Sequence, residues 1–362
     1  MPYLEVKSVS KSFGKKKVLE ELSLGVERGE CLVVFGPSAC GKTTLLRLIA
    51  GVLEPDQGEV WIDGKPVMDV GPESRGVAMA FQNFALYPHM DAFENIASPL
   101  RARSRGEDEI KQRVHEIAAM LRIDHVLDHL PKQLSNGQKQ RTSLARSLVH
   151  GPSVLMLDDP LRNVDAKIRY EMRLELPRVF RRFRSTVLYV TQDYKEALAL
   201  GDRIGVLMDG HFEQVDTPAA IYGTPRNRRV ASLFGDPPIN LFPIQLQRDA
   251  AGAVEAQIAG QRVALGAHGD RLNVPECVLG VRPEDVALDF ERADGGVPVE
   301  LEAVTPFNVR TVTLLKAADG TEILASRPED NTLATSRGHR RGWAHIDFER
   351  ALFFDVASGA RL

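Results

Sequence analysis

The chain has 362 residues, 43% of them hydrophobic and 26% charged, with a formal net charge of −3. That length suits two or three packed domains of an ordinary globular protein, and the charge balance lacks the basic excess of nucleic-acid binders, so no nucleic-acid partner is expected. Cys31, Cys40 and Cys277 lie far apart with no CxxC spacing, which argues against a disulfide framework or a zinc cluster and points to a reducing, cytoplasmic setting.

From the start, charged and apolar residues alternate between Tyr3 and Val9, so no signal-peptide core is expected. No run reaches the roughly 18 apolar residues of a membrane span. Cys31 to Phe35 is a short β-branched run that stops at Gly36, and a helical pattern begins after Lys42 with Leu45, Leu46, Leu48 and Ile49. Similar runs at Val77 to Phe81, Val154 to Leu157, Thr186 to Val190 and Ile204 to Met208 alternate with helical stretches, which predicts a parallel α/β sheet. Glu107 to Leu130 has a helical period with a polar outer face and meets Pro131, so it is expected to be one helix of an inserted helical subdomain spanning about residues 91–150. Pro237 and Pro238 mark a boundary after Asp236, dividing a domain at 1–235 from one at 236–362. Beyond it, short alternating segments at Gln261 to Leu265, Val278 to Val281, Val309 to Leu315 and Thr321 to Leu324 are separated by turn residues, among them Gly252, Gly260, Gly266 and Gly269. These predict a small, barrel-like, all-β domain.

The strongest chemical signal is Gly36-Pro37-Ser38-Ala39-Cys40-Gly41-Lys42-Thr43-Thr44, which fits GxxxxGK[ST] and sits between a buried strand and a helix. Backbone N–H groups of such a loop and the positive helix end cradle phosphates, Lys42 supplies a point charge, and the Thr43 hydroxyl is placed to bind Mg²⁺. Thiol modification at Cys40, inside this loop, is therefore expected to block nucleotide binding. Val154 to Leu157 leads into Asp158 and Asp159, two carboxylates at a strand's C-terminal end, where Asp158 is suited to a hard cation.

Order and spacing along the chain carry a family resemblance. Leu134-Ser135-Asn136-Gly137-Gln138 resembles the signature sequence of ABC-type ATPases, Val154 to Pro160 resembles Walker B, and Asn163-Val164-Asp165-Ala166 resembles the D-loop. Gln82 matches the Q-loop, and Phe13 matches the aromatic position that stacks on adenine. The stretch from Arg75 to Met90 narrows the likeness to importers for carbohydrates, polyols and glycerophosphates, with maltose-type ATPases most similar. Pro237 to Leu241 and Leu279 to Asp285 resemble the family's C-terminal OB-like (TOBE-type) domain. The resemblance implies a P-loop NTPase core, ATP and Mg²⁺ as ligands, and Thr43, Gln82 and Asp158 around the metal. It also implies head-to-tail pairing, so that Ser135, Asn136, Gly137 and Gln138 act in trans on a partner's nucleotide. Two membrane-spanning permease subunits, a second ATPase subunit of the same or a different chain and, indirectly, an extracytoplasmic solute-binding protein are the implied partners. The implied location is peripheral, on the cytoplasmic face of the inner membrane.

Departures from the family pattern fall mostly on hydrolysis. Asp159 stands where the family has glutamate and Gln192 where it has histidine. A shorter carboxylate sits further from an attacking water, and an amide can donate a hydrogen bond but cannot relay a proton. Asn136 replaces a signature glycine, Leu161 a D-loop serine, and Ala39 a loop glycine that alanine replaces without strain only at negative φ. Together they suggest a site that binds ATP and hydrolyses it slowly or not at all, in a chain paired with a different, intact ATPase subunit. A homodimer with slow turnover and a purely structural nucleotide-binding subunit are the alternatives. Importers of polyamine, sulfate or iron are the alternative solute classes. Arg178, Arg181, Arg182 and Arg184 read as a solvated helix face, and the nine histidines show no paired ligand spacing.

Overall fold

The computed structural model describes residues 1–248, 254–266, 269, 272–291, 293–307, 309–328 and 341–362; Gly252 lies outside them. Contacts divide the chain into two compact units, Met1–Pro218 and Ala219–Leu362.

The first unit is built on a six-stranded sheet. Its strands are β3 (Cys31–Phe35), β6 (Val77–Ala80), β7 (Val154–Asp158), β8 (Thr186–Thr191), β9 (Arg203–Met208) and β10 (His211–Asp216), in the order β10-β9-β3-β8-β7-β6. All neighbours are parallel except the edge pair β9 and β10. Strands β3, β7 and β8 are buried along their whole length, as expected for strands covered on both faces. A second, four-stranded antiparallel sheet, missed in the sequence, runs β2-β1-β4-β5 from β1 (Leu4–Phe13), β2 (Lys16–Val26), β4 (Gln57–Ile62) and β5 (Lys65–Pro66).

Helix α1 (Lys42–Ala50) joins the two sheets. Its apolar residues Leu45, Leu46, Leu48 and Ile49 share one buried cluster with Leu22, Leu24 and Val60 of the antiparallel sheet and Val34, Met156 and Leu188 of the parallel one. Burying each such side chain stabilises by about 1.5–3 kcal/mol, which anchors the loop preceding α1. Buried Arg75 closes the helix's other end, donating from Nη1 to the carbonyls of Leu48 (3.2 Å) and Ile49 (3.0 Å) and from Nε to Val70 O (2.8 Å). A guanidinium there satisfies carbonyls that the helix leaves open.

The helical part comprises α2 (Ala92–Arg101), α3 (Glu107–Met120) and α4 (Asn136–Leu148). Asp91 caps α2 by accepting from Glu94 N at 2.8 Å. The single helix expected from Glu107 to Leu130 is corrected: α3 ends at Met120, Arg122 takes a left-handed φ of 57°, and one-turn 3₁₀ segments follow at Asp124–Val126 and Pro131–Gln133. Leu121, Ile123, Val126 and Leu127 remain buried, so the apolar periodicity continues after the helix has stopped. Three more helices, α5 (Ala166–Phe183), α6 (Tyr194–Leu200) and α7 (Pro218–Gly223), lead to α8 (Arg228–Leu233).

The second unit holds two five-stranded antiparallel sheets. One contains β11 (Asn240–Arg248), β12 (Val254–Ile258), β13 (Gln261–Ala264), β14 (Glu276–Val281) and β20 (Leu352–Phe354), ordered β13-β12-β11-β14-β20. The other contains β15 (Val286–Asp289), β16 (Val297–Phe307), β17 (Arg310–Ala317), β18 (Glu322–Pro328) and β19 (Arg341–Ile346), ordered β15-β19-β16-β17-β18. Phe242, Ile244 and Leu279 of the first and Val299, Leu315 and Ile323 of the second belong to one apolar cluster. The division into units falls before the Pro237-Pro238 step because the short helices pack on the strands. Arg282 donates to the carbonyls of Tyr222 (3.0 Å), Ala231 (3.1 Å) and Phe234, and Arg228 N donates to Gly359 O at 2.9 Å.

Candidate nucleotide site

Strand register assembles the site. Phe35 of β3 lies opposite Thr191 of β8, and Val190 lies opposite Asp158 of β7, so the loops leaving these three strands open at one edge of the sheet. That edge, outside the carboxyl ends of parallel strands, is where α/β folds bind ligands. A cavity of about 280 Å³ occurs there, lined by Lys42, Thr43, Gln82, Asp158, Asp159 and Gln192 together with Phe13, Val18, Ala39, Gly41, Thr44 and Val190.

The loop from Gly36 to Gly41 turns because its glycines allow it. Gly41 has φ 110°, and a Cβ on Gly36 would lie 2.2 Å from Leu207 O. Ala39 departs from expectation: its φ is 63°, left-handed, where an L-residue costs about 1–2 kcal/mol. Lys42 is buried and donates from Nζ to the carbonyls of Gly36 (2.8 Å) and Pro37 (2.7 Å), its third short approach being Cys40 Sγ at 3.7 Å. An ammonium held on loop carbonyls is in reserve for a better acceptor, and a phosphate supplies one. Gly36, Pro37, Ser38 and Cys40 do not line the cavity themselves. Burial pushes the Cys40 thiol above its usual range, with Lys42 opposing.

Thr43 Oγ1 donates to Asp158 Oδ1 at 3.1 Å, and Gln82 lines the same cavity. Burial raises the Asp158 carboxyl; the Thr43 hydrogen bond and the charges of Arg47 and Lys42 work against it. A hydroxyl, a carboxylate and an amide form an oxygen donor set that fits Mg²⁺, which keeps several waters and takes few protein ligands.

Asp159 occupies the adjacent corner, with φ 46° and its N–H donating to Val190 O at 2.9 Å. Its Oδ2 receives Arg162 Nη1 at 3.4 Å and Gln192 Nε2 at 3.5 Å, while Gln192 Oε1 accepts from Ser38 Oγ at 2.7 Å. Burial raises its carboxyl as well, opposed by Arg162 and Lys42 and reinforced by Asp158. Phe13 stands half exposed at the rim.

Ser135, Asn136, Gly137 and Gln138 do not line this cavity. They start α4, where Ser135 Oγ accepts from Gln138 N at 3.3 Å and Gln138 Oε1 accepts from Ser135 N at 2.9 Å, a reciprocal capping box. A Cβ on Gly137 would lie 2.7 Å from Ile168 Cδ1. Asp165 likewise caps α5, accepting from Ile168 N at 3.0 Å. Arg162 and the buried carboxylate Glu196 escaped the sequence reading. Arg162 follows the Walker B carboxylates by one turn, but Glu196 carries no motif beyond a Tyr-x-Thr strand end before its helix.

A P-loop cavity of this form defines a nucleotide-binding ATPase. A family profile described as ABC transporter matches residues 19–162. Over their full lengths, the chain is 38% identical to the sn-glycerol-3-phosphate import ATP-binding protein of Salmonella typhimurium and 37% identical to that of Escherichia coli. The dimeric ATP-binding cassette MJ0796, in a post-hydrolysis state bound to ADP and Pi, is 31% identical with a TM-score of 0.54, covering 59% of this chain and 98% of its own. CbiO1 of Clostridium perfringens, part of the ABC transporter complex cbiONQ, shares the fold, with a TM-score of 0.56 at 24% identity over 61% of this chain and 90% of its own. The chain belongs to the ABC transporter family, as an ATP-binding subunit.

Proposed function

We propose that this chain powers import of sn-glycerol 3-phosphate or a related polyol or sugar solute, working with Mg²⁺-ATP on the cytoplasmic face of the inner membrane beneath two permease subunits. Full-length identity to the glycerol-3-phosphate import proteins carries the reading. Lys42 leaves the carbonyls of Gly36 and Pro37 for the β- and γ-phosphates, the amides around Gly41 complete the cradle, and Phe13 meets the adenine. Thr43, Asp158 and Gln82 would hold Mg²⁺, which would neutralise phosphate charge. Two cassettes pair head to tail, and Ser135 and Gly137 of each donate to the partner's γ-phosphate from the start of α4, where the helix dipole favours an anion.

Hydrolysis at the chain's own site is slow. Asp159 is engaged by Arg162 and Gln192, and Gln192 orients the terminal phosphate without relaying a proton. A second cassette, the same or an intact different one, completes the assembly. The test is steady-state phosphate release by the chain alone and with its partner subunits. Low turnover alone and substantial turnover in the assembly are expected; ordinary transporter rates from the isolated chain would remove the slow-site reading. Absence of Mg²⁺-ATP binding in either sample would remove the nucleotide site itself. The engagement of Asp159 Oδ2 by Arg162 and Gln192 also favours a second reading, a regulatory subunit that binds ATP without turning it over, distinguished by zero phosphate release in single-turnover assays.

A further inference from the structure

The end of β8 carries a buried arrangement that the phosphate chemistry does not use directly. Glu196, in the first turn of α6, is only 1% exposed, and its Oε2 accepts two hydrogen bonds, from Tyr189 Oη at 2.8 Å and from Thr191 Oγ1 at 2.9 Å. Tyr189 and Thr191 lie two apart on β8 and therefore share a face. The Thr191 hydroxyl also accepts from Asp193 N at 3.0 Å. Residues on both sides of Gln192 are thus tied to one carboxylate, while the Gln192 side chain reaches Ser38 and Asp159.

We propose that Glu196 is a positioning residue for the nucleotide site: through the Thr191 hydroxyl it fixes the turn that aims Gln192 at the terminal phosphate. The inference rests on the reading of Gln192 given above. Its physical basis is that a buried carboxylate accepting two hydroxyl protons makes strong, directional bonds, and that the backbone flanking Gln192 is held by the Thr191 hydroxyl and by the Asp193 cap of α6. A shift of about 1 Å in such a group is enough to lower catalysis by on the order of 10².

The charged surroundings add a readout. Burial lifts the Glu196 carboxyl to about 7; the two hydroxyl bonds oppose this, and Asp193 and Asp159 reinforce it. Behind it, Cys31 of β3 faces Tyr189, and Arg169 of α5 pairs with Asp193 at 3.8 Å. Above about pH 7 the carboxylate accepts both hydroxyls; below it, the neutral carboxyl can still accept them through Oε2, but both bonds lose their charge assistance and weaken.

The test is calorimetric, on the full chain, with Mg²⁺ and a non-hydrolysable ATP analogue against Mg²⁺-ADP, so that slow turnover does not matter. Gln192→Ala is expected to cut the preference for the triphosphate roughly tenfold, the loss of one charge-assisted hydrogen bond. Thr191→Val and Glu196→Ala are expected to cut it by a similar factor while leaving ADP affinity unchanged. Glu196→Gln, the neutral isostere of the protonated group, is expected to hold the preference at the wild type's low-pH level, above that of Glu196→Ala, and to remove the part of its pH dependence that the wild type shows between about pH 6 and 8, the analogue's own ionisation being common to both. If Gln192→Ala lowers the preference while Thr191→Val and Glu196→Ala keep it, the positioning role is wrong and the nucleotide site stands. Equal weakening of both nucleotides in Glu196→Ala and Thr191→Val would reduce Glu196 to a packing element and overturn the proposal. An unchanged preference in Gln192→Ala would instead overturn the reading of Gln192. Should Glu196→Ala not fold, Thr191→Val alone decides.

Discussion

The two ends of the nucleotide cavity are built differently. At the phosphate end, Lys42, Thr43 and Asp158 are anchored by backbone and by a buried helix: Lys42 rests on loop carbonyls, and α1 is locked between two sheets. At the other end, Asp159 and Gln192 are held by side chains, at 3.4–3.5 Å around Asp159 Oδ2 and through Ser38. Backbone cradles tolerate changes in their side chains, because the amides that grip phosphate remain. Side-chain networks do not, since one methylene redirects the acceptor. Under the proposed function, the contrast would let a chain depart from its family's pattern at Asp159 and Gln192 and keep its grip on nucleotide.

Breaking the phosphate end should give the largest effect. Lys42→Ala removes the ammonium held in the loop and is expected to weaken Mg²⁺-ATP binding by on the order of 10²-fold or more, measured by calorimetry on a folded sample. Next, Asp159→Glu combined with Gln192→His restores the family's groups at the side-chain end. Phosphate release is expected to rise by on the order of 10², more than the product of the two single changes because the residues are in contact. No rise would mean that the hydrolytic end is limited elsewhere.

A smaller effect probes Cys40. Burial holds its thiol above the usual range, and the thiolate is the reactive form. Maleimide labelling of Cys40 is expected to be slow at neutral pH, to climb about tenfold per pH unit toward the alkaline side, and to be suppressed by Mg²⁺-ATP, as followed by mass spectrometry of the modified peptide. Fast labelling at neutral pH that ignores nucleotide would separate Cys40 from the cradle. The smallest effect belongs to Ala39→Gly. Relief of about 1–2 kcal/mol of left-handed strain, less about 0.5–1 kcal/mol of added freedom in the unfolded chain, leaves a gain of about 0.5–1 kcal/mol in denaturant unfolding.

The phosphate end was legible in the sequence because its parts are contiguous: one loop, one strand end, and residue types whose chemistry their spacing declares. Gln82, Asp158, Asp159 and Gln192, far apart in the chain, came within reach through the family pattern, and the register of β3, β8 and β7 brings all but Gln82 to one sheet edge. Other features were hidden for physical reasons. Periodicity reports burial rather than hydrogen bonding, so Leu121 to Leu127 extended α3 past the turn at Arg122. Glu196 looked like a polar residue on a short helix, since nothing local says that a carboxylate is buried beneath a tyrosine. The Ala39 conformation depended on the loop's tertiary setting. Strands β1 and β2 pair with register shifts that interrupt their alternation, which obscured the antiparallel sheet.

Helix α4 starts at the signature residues, and toward its far end Ser143 and Arg146 grip the backbone after Gln82: Ser143 Oγ donates to Phe84 O at 2.8 Å, and Arg146 donates to Ala85 O at 2.8 Å and Phe84 O at 3.1 Å. Thirteen residues of helix make a stiff strut about 20 Å long. So short a helix bends little, which makes the segment at Phe84 and Ala85 and the capping serine at the opposite tip parts of one rigid piece.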